Sequence, residues 1–135
     1  MPENTEFEEY GLPRLTHEET DGPSGSVVLG DGDYRYEVSG KNWGKLPDGW
    51  KYQEATAVGV DQQDRVFVFN RGTSAIIVFD TDGNMIDSWG EGIFKTPHGI
   101  SFDPEGNLFL VDAGDSTVRK FTPSGELLMT IGDPN

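Results

Sequence analysis

Short runs of β-branched and aromatic residues, each closed off by Gly, Asp, Asn or Pro, recur along the chain from Val27 onward. Val66-Phe67-Val68-Phe69, Ile76-Ile77-Val78-Phe79 and Leu108-Phe109-Leu110-Val111 are typical. Turn residues every eight to twelve positions or so give the rhythm of short antiparallel strands. No stretch carries the 3.6-residue apolar period of an amphipathic helix. The pattern therefore predicts an all-β fold.

The same pattern repeats. Moving residues 55–91 forward by 42 places them on 97–133 without a gap. Identical pairs are Asp61/Asp103, Phe67/Phe109, Gly72/Gly114, Ser74/Ser116, Phe79/Phe121, Gly83/Gly125 and Gly90/Gly132. Apolar positions coincide as well, among them Val58/Ile100, Val60/Phe102, Val66/Leu108, Val68/Leu110 and Ile76/Val118. A period of about 40 residues holding four short strands marks a β-propeller blade. In the second repeat the strands fall at His98–Phe102, Asn107–Asp112, Thr117–Phe121 and Leu127–Ile131, with turns at Asp103-Pro104-Glu105-Gly106 and Thr122-Pro123-Ser124-Gly125. Blade one covers about 54–95 and blade two about 96–135. Upstream, Tyr34–Trp43 ends in Trp-Gly as the first repeat does at Trp89-Gly90, and reads as one extra outermost strand. Closed propellers take roughly four to eight blades. Two blades form an incomplete ring, to be completed by missing blades of a longer chain or by copies of this one.

Residues 1–26 differ in texture: Glu3, Glu6, Glu8, Glu9, Glu18, Glu19 and Asp21 are interspersed with Pro2, Pro13 and Pro23. Too few apolar side chains offset the entropy of ordering them, so a flexible acidic tail is expected. Over all 135 residues, 10 Lys and Arg stand against 24 Asp and Glu, a formal charge of −14. That excludes a basic nucleic-acid face and docking on anionic membrane. There is no Cys, so neither disulfides nor thiolate chemistry arise. Neither a signal peptide nor an apolar membrane span is read, so a cytoplasmic or otherwise soluble setting is expected.

The stretch Asp-Pro-Glu-Gly-Asn-Leu-Phe-Leu-Val-Asp-Ala-Gly (103–114), with Val118-Arg119-Lys120-Phe121 and Ser124-Gly125-Glu126, resembles an NHL repeat. Val66–Gly72, Thr96-Pro97-His98-Gly99-Ile100 and Trp43-Gly44-Lys45-Leu46-Pro47-Asp48-Gly49-Trp50 resemble the peptidyl-α-hydroxyglycine α-amidating lyases, especially bacterial ones. The likeness covers residues 27–135. It implies a six-bladed propeller that cleaves the N–Cα bond of a peptidyl-α-hydroxyglycine into a peptide amide and glyoxylate. In that family three His hold a zinc, an Arg binds the substrate carboxylate, a Tyr acts as base and a calcium lies on the axis. By position, His98 matches a zinc ligand and Arg71 the carboxylate-binding Arg. The backbone carbonyls of Val58 and Ile100 match calcium ligands. The other His and the Tyr would lie in further blades, and Thr56 stands where a second His would repeat. A single chain is thus expected to lack the full metal site. A trimer would bring three His98 side chains to one axis, because the family's ligands come from alternate blades. The implied ligand is a peptide or small hydroxy acid.

Each residue also has a plainer reading. His98 suits a hydrogen-bonded channel histidine, Arg71 a surface arginine paired with an acid, and His17 a solvated tail residue. Asp80-Thr81-Asp82-Gly83-Asn84 has Gly at its fourth position and fails the calcium-loop pattern, so a hairpin turn is expected there and at Asp31-Gly32-Asp33. The aromatic residues suit blade packing, and no serine sits in a nucleophile elbow. The alternative function is a non-catalytic NHL module that binds protein or peptide, or that assembles into a ring.

Overall fold

A computed structural model describes residues 28–37 and 43–134. Among them every regular element is a strand and none is a helix. β1 (Val28–Asp31) and β2 (Tyr34–Glu37) form a hairpin in one compact unit, and all later strands belong to a second. In that second unit, β3 (Ala55–Val60), β4 (Val66–Asn70), β5 (Ile76–Phe79) and β6 (Met85–Trp89) form one antiparallel sheet in sequential order. β7 (Pro97–Phe102), β8 (Leu108–Asp112), β9 (Thr117–Phe121) and β10 (Leu127–Ile131) form another. These are two propeller blades that do not close a ring, and the strands of the second match the sequence expectation within a residue at each end.

The upstream strand departs from expectation. Tyr34–Glu37 is extended, but it pairs with β1 across a Gly32 turn rather than standing alone. Residues 38–42, the rest of the expected strand, lie outside the described residues, as does the tail at 1–26. Asp31 Oδ1 accepts the Gly32 amide at 2.7 Å, and Gly32 takes a φ of +56° that a side chain would resist. That turn chemistry supplies a local partner. Trp43 nonetheless behaves as the end of an outer strand should. It stands on Phe79 at 5.7 Å and donates Nε1–H to the Thr81 carbonyl at 3.1 Å. Trp89 does the same one repeat on, 5.2 Å from Phe121 and bonded to the Pro123 carbonyl at 3.2 Å.

The blades meet closest along their first strands, β3 beside β7, and splay toward their fourth. Strand alternation sends Phe67, Phe69, Ile76 and Val78 to one side of blade one. Leu108, Leu110 and Phe121 come from blade two to meet them, with Ile100 and Phe102 at the margin. Phe67 and Phe102 stack edge-on at 5.2 Å, and Phe69 meets Phe94 the same way at 4.9 Å. Phe67, Phe69, Leu108 and Leu110 are wholly buried, each contributing about 1.5–3 kcal/mol of transfer free energy. Gly59 lies under Phe102, where a Cβ would stand 2.8 Å from the ring, so only glycine admits this approach.

Turns are held by carboxylates at repeat-equivalent places. Asp61 Oδ1 accepts the amides of Gln63 and Arg65, and its Oδ2 accepts Arg65 Nε at 2.7 Å. Asp103 accepts the Asn107 amide at 2.8 Å and faces Lys120 Nζ at 2.7 Å. Burial raises the Asp61 carboxyl, but the Arg65 and Gln63 bonds outweigh it and hold it low. Asp103 is held far below the usual range, mainly by Lys120. The Asp80 turn is a hairpin as expected, with Asp80 Oδ1 accepting the Asp82 and Asn84 amides. No helix among the described residues is long and apolar enough to cross a membrane.

Two predictions follow from this packing. Phe67→Ala is expected to destabilise the chain by roughly 3–5 kcal/mol, through lost transfer energy and an unfilled cavity, as measured by urea unfolding. Because Asp61 and Asp103 are depressed in the folded state, their stabilisation is present above the unfolded carboxyl pKa near 3.9 and is lost as pH falls below it. The thermal midpoint should therefore hold from neutral pH to about pH 5 and then drop, less steeply in Asp103→Asn.

Candidate functional site

The ends of β4 and β8 and the starts of β3 and β7 lie at one end of the two blades. Ladder pairing slips at the start of both first strands, between Ala55 and Ala57 in β3 and between Pro97 and Gly99 in β7. The residues passed over are Thr56 and His98. A bulge of this kind re-aims a side chain away from the regular alternation. Thr56 turns its hydroxyl to the Phe69 carbonyl at 3.1 Å. His98 is exposed, and its ring has no hydrogen-bond partner among the described residues.

Arg71 follows directly on β4. Its amide donates to the Gln53 carbonyl at 2.8 Å and, more weakly, to that of Glu54 at 3.3 Å. Its Nη1 pairs with the Glu54 carboxylate, and its Nε reaches the Pro97 carbonyl at 3.4 Å. The guanidinium thus spans from the approach to β3 to the residue preceding His98, which brings the two expected site residues to the same loop cluster. Glu54 holds a φ of +54°, sparsely populated for a residue with a Cβ, at the point where it meets Arg71. Val58 and Ile100 occupy equivalent points of β3 and β7, each opposite the third residue of the neighbouring strand, Val68 and Leu110.

The loop carrying His98 is anchored by a buried group that sequence reasoning missed. Asp112, fully buried at the end of β8, accepts the amides of Lys95 and Thr96 at 2.7 Å each and that of Gly114 at 2.9 Å. Arg119 on β9 faces it at 3.4 Å and also pairs with Asp115. Asp115 is held below the usual carboxylate range by the Thr117 hydroxyl and by Arg119, against a rise from burial. In blade one the counterparts are Asn70, Ile77 and Thr73. Asn70 takes over the turn contacts, donating to Ser74 and Ala75 carbonyls and accepting the Gly72 amide. A charged Arg replacing Ile at an inward repeat position was the one signal in the sequence.

An open cavity of about 560 Å³ lies outside this cluster, lined by Trp50, Tyr52, Asn70, Ser74, Ile77 and Glu91. It adjoins Arg71 through Asn70 and includes neither Arg71 nor His98. Among the described residues no three His, Asp or Glu side chains gather as a metal site. One imidazole alone does not fit a zinc centre, which takes three protein ligands in its catalytic form.

Removing the Asp112 carboxylate strands three loop amides, those of Lys95, Thr96 and Gly114, and half-frees a buried Arg119. Asp112→Ala is expected to cost about 3–5 kcal/mol in urea unfolding and to speed amide exchange at Lys95 and Thr96.

No family model matches the chain. It is similar to peptidyl-α-hydroxyglycine α-amidating lyase 1 of Drosophila melanogaster, 33% identical over 66 residues, which cover 47% of this chain and 12% of that protein. A probable peptidyl-α-hydroxyglycine α-amidating lyase of Caenorhabditis elegans is 33% identical over 67 residues, 49% of this chain and 19% of that one. The Drosophila lyase 2 is 30% identical over 107 aligned positions, covering 60% of this chain and 26% of the relative. The chain thus spans from about an eighth to about a quarter of the length of these relatives. What it shares with them is a partial likeness to α-amidating lyases, carried on propeller blades.

Proposed function

We propose that this chain is a segment of a lyase-type NHL propeller whose loop cluster at Arg71 and His98 recognises a peptide ending in α-hydroxyglycine. The observation that supports the reading most is the reach of Arg71 Nε to the Pro97 carbonyl, beside a bulged, exposed and unpartnered His98. Arg71 has the planar donor fork that suits a carboxylate, and Glu54 already presents one to it. His98 is aimed by its bulge and retains both ring nitrogens for a ligand. The likeness to three α-amidating lyases points to the same chemistry. In that reaction the hydroxyl gives up its proton, its oxygen forms the aldehyde C=O of glyoxylate as the N–Cα bond breaks, and the departing nitrogen takes up a proton to become the peptide amide.

Arg71 holds the substrate carboxylate in this reading, and His98 contributes one zinc ligand. The remaining ligands and the base come from outside these two blades, in further blades or in other copies. Val58 and Ile100 carbonyls take the proposed calcium positions on the two first strands. The second reading, a non-catalytic NHL module, is supported by the Arg71–Glu54 ion pair, which gives the arginine a purely structural role.

The test is glyoxylate release from a peptidyl-α-hydroxyglycine in the presence of zinc, with metal content measured on the same protein. His98→Ala is expected to abolish both zinc retention and release. Arg71→Ala should lower substrate affinity by about tenfold to a hundredfold, the loss of a hydrogen bond to a charged group. Zinc content and glyoxylate release that ignore both substitutions would leave the binding-module reading in place.

A further inference from the structure

The Arg71–Glu54 pair has no counterpart in blade two, although the backbone around it does. One repeat on, the two positions hold Ala113 and Thr96. There the Ala113 amide donates to the Thr96 carbonyl at 3.0 Å, and neither side chain carries a charge. In blade one the equivalent bond, from Arg71 to Glu54, is stretched to 3.3 Å, and the Arg71 amide donates at 2.8 Å to Gln53 instead. The slip falls where Glu54 takes its φ of +54°. Among the described residues with a Cβ, positive φ occurs at Glu54, Asp64 and Ser116 and not at Thr96. The repeat thus closes this corner without an ion pair and without strain, and blade one departs from it on both counts. Strain kept where the repeat shows it to be dispensable marks a role at the site rather than in the fold.

We propose that Glu54 is a placeholder carboxylate, which occupies Arg71 until the carboxylate of an incoming ligand displaces it. The proposal rests on the reading of Arg71 as a carboxylate-binding group and deepens it. Arg71 is held by contacts that do not pass through the Glu54 carboxylate. Its amide is fixed by the Gln53 carbonyl, and its Nε leans on the Pro97 carbonyl at 3.4 Å. Glu54 engages Nη1 alone, and Nη2 has no partner among the described residues. The strongest carboxylate recognition by a guanidinium is bidentate, so the single contact of Glu54 leaves a ligand something to gain.

The pair is also easily opened. The Glu54 side chain is 64% exposed and that of Arg71 37%, and an ion pair so exposed to water is weak. A ligand carboxylate arriving at Nη2 stands beside that of Glu54, and like-charge repulsion drives the exposed Glu54 side chain out to solvent. Until then the pair keeps the guanidinium extended toward the residue before His98. Small anions at low concentration face an intramolecular rival with a high effective concentration. Glu54 therefore sets how strong a carboxylate ligand must be before Arg71 takes it.

Titration of the full chain with glycolate, the smallest α-hydroxy acid, tests this, followed at the Arg71 Nε–H in proton–nitrogen correlation spectra. Glycolate is expected to shift that signal saturably in the wild type. Glu54→Gln and Glu54→Gly should each bind it roughly twofold to fivefold more tightly, the range an exposed ion pair supplies. If Glu54→Gln fails to fold, Glu54→Asn, which tolerates the left-handed region, replaces it. Equal or weaker binding in the neutral variants overturns the proposal and leaves Arg71 as a carboxylate site. Tighter binding in Glu54→Gly alone also overturns it, because relief of backbone strain is then the cause. No response in the wild type or any variant overturns both the proposal and the carboxylate role of Arg71. The titration needs neither zinc nor turnover, so its failure and a failure of glyoxylate release are separate results.

Discussion

The contact between the two sheets decides the rest of the structure. Phe67 and Phe69 from one blade interlock with Leu108, Leu110, Phe102 and Phe121 from the other, and most of these side chains lose all contact with water. A two-sided sheet cannot be stable with both faces wet, because apolar burial is what offsets the entropy of ordering its strands. Each blade therefore depends on its neighbour. The interlock also sets where β3 and β7 run, side by side at the narrow edge, and so where their bulged first residues emerge.

At the loop end, polar groups take over from apolar ones. Asp112 ties two amides of the segment leading to His98, and Arg119 balances its charge from the adjacent strand. Blade one does the equivalent work with the neutral amide of Asn70, next to an apolar Ile77. The difference gives the approach to His98 a charged, buried anchor that the approach to Thr56 lacks. Arg71 closes the same cluster from blade one, linking Glu54 to the Pro97 carbonyl. Arg71, paired with Glu54, and the exposed His98 thus lie in one loop cluster.

The two blades are covered unequally on their outer faces. Trp43 and Tyr52 reproduce on Phe79 the contacts that Trp89 and Phe94 make on Phe121. They cover the outer half of blade one's open face and leave its inner half, around Val58 and Val60, bare. Blade two ends in β10, which is exposed at every position.

By itself the sequence determined the strands, their turns and the blade repeat. Those features follow from local rules: alternation selects a buried face, and Pro or Asp ahead of Gly specifies where the chain reverses. It also marked His98 and Arg71 by resemblance. It marked the hairpin turn at Asp31-Gly32-Asp33 but read Tyr34–Trp43 as a lone outer strand, whereas β2 pairs with β1 across that turn, which offers its backbone groups a nearer partner than any distant sheet edge. Nor did it show that His98 would sit on a bulge, or that Asp112 and Arg119 would meet beneath its loop. Only the tertiary structure decided these, because ladder register and buried ion pairing depend on which strands lie side by side, and no periodicity along one chain carries that information.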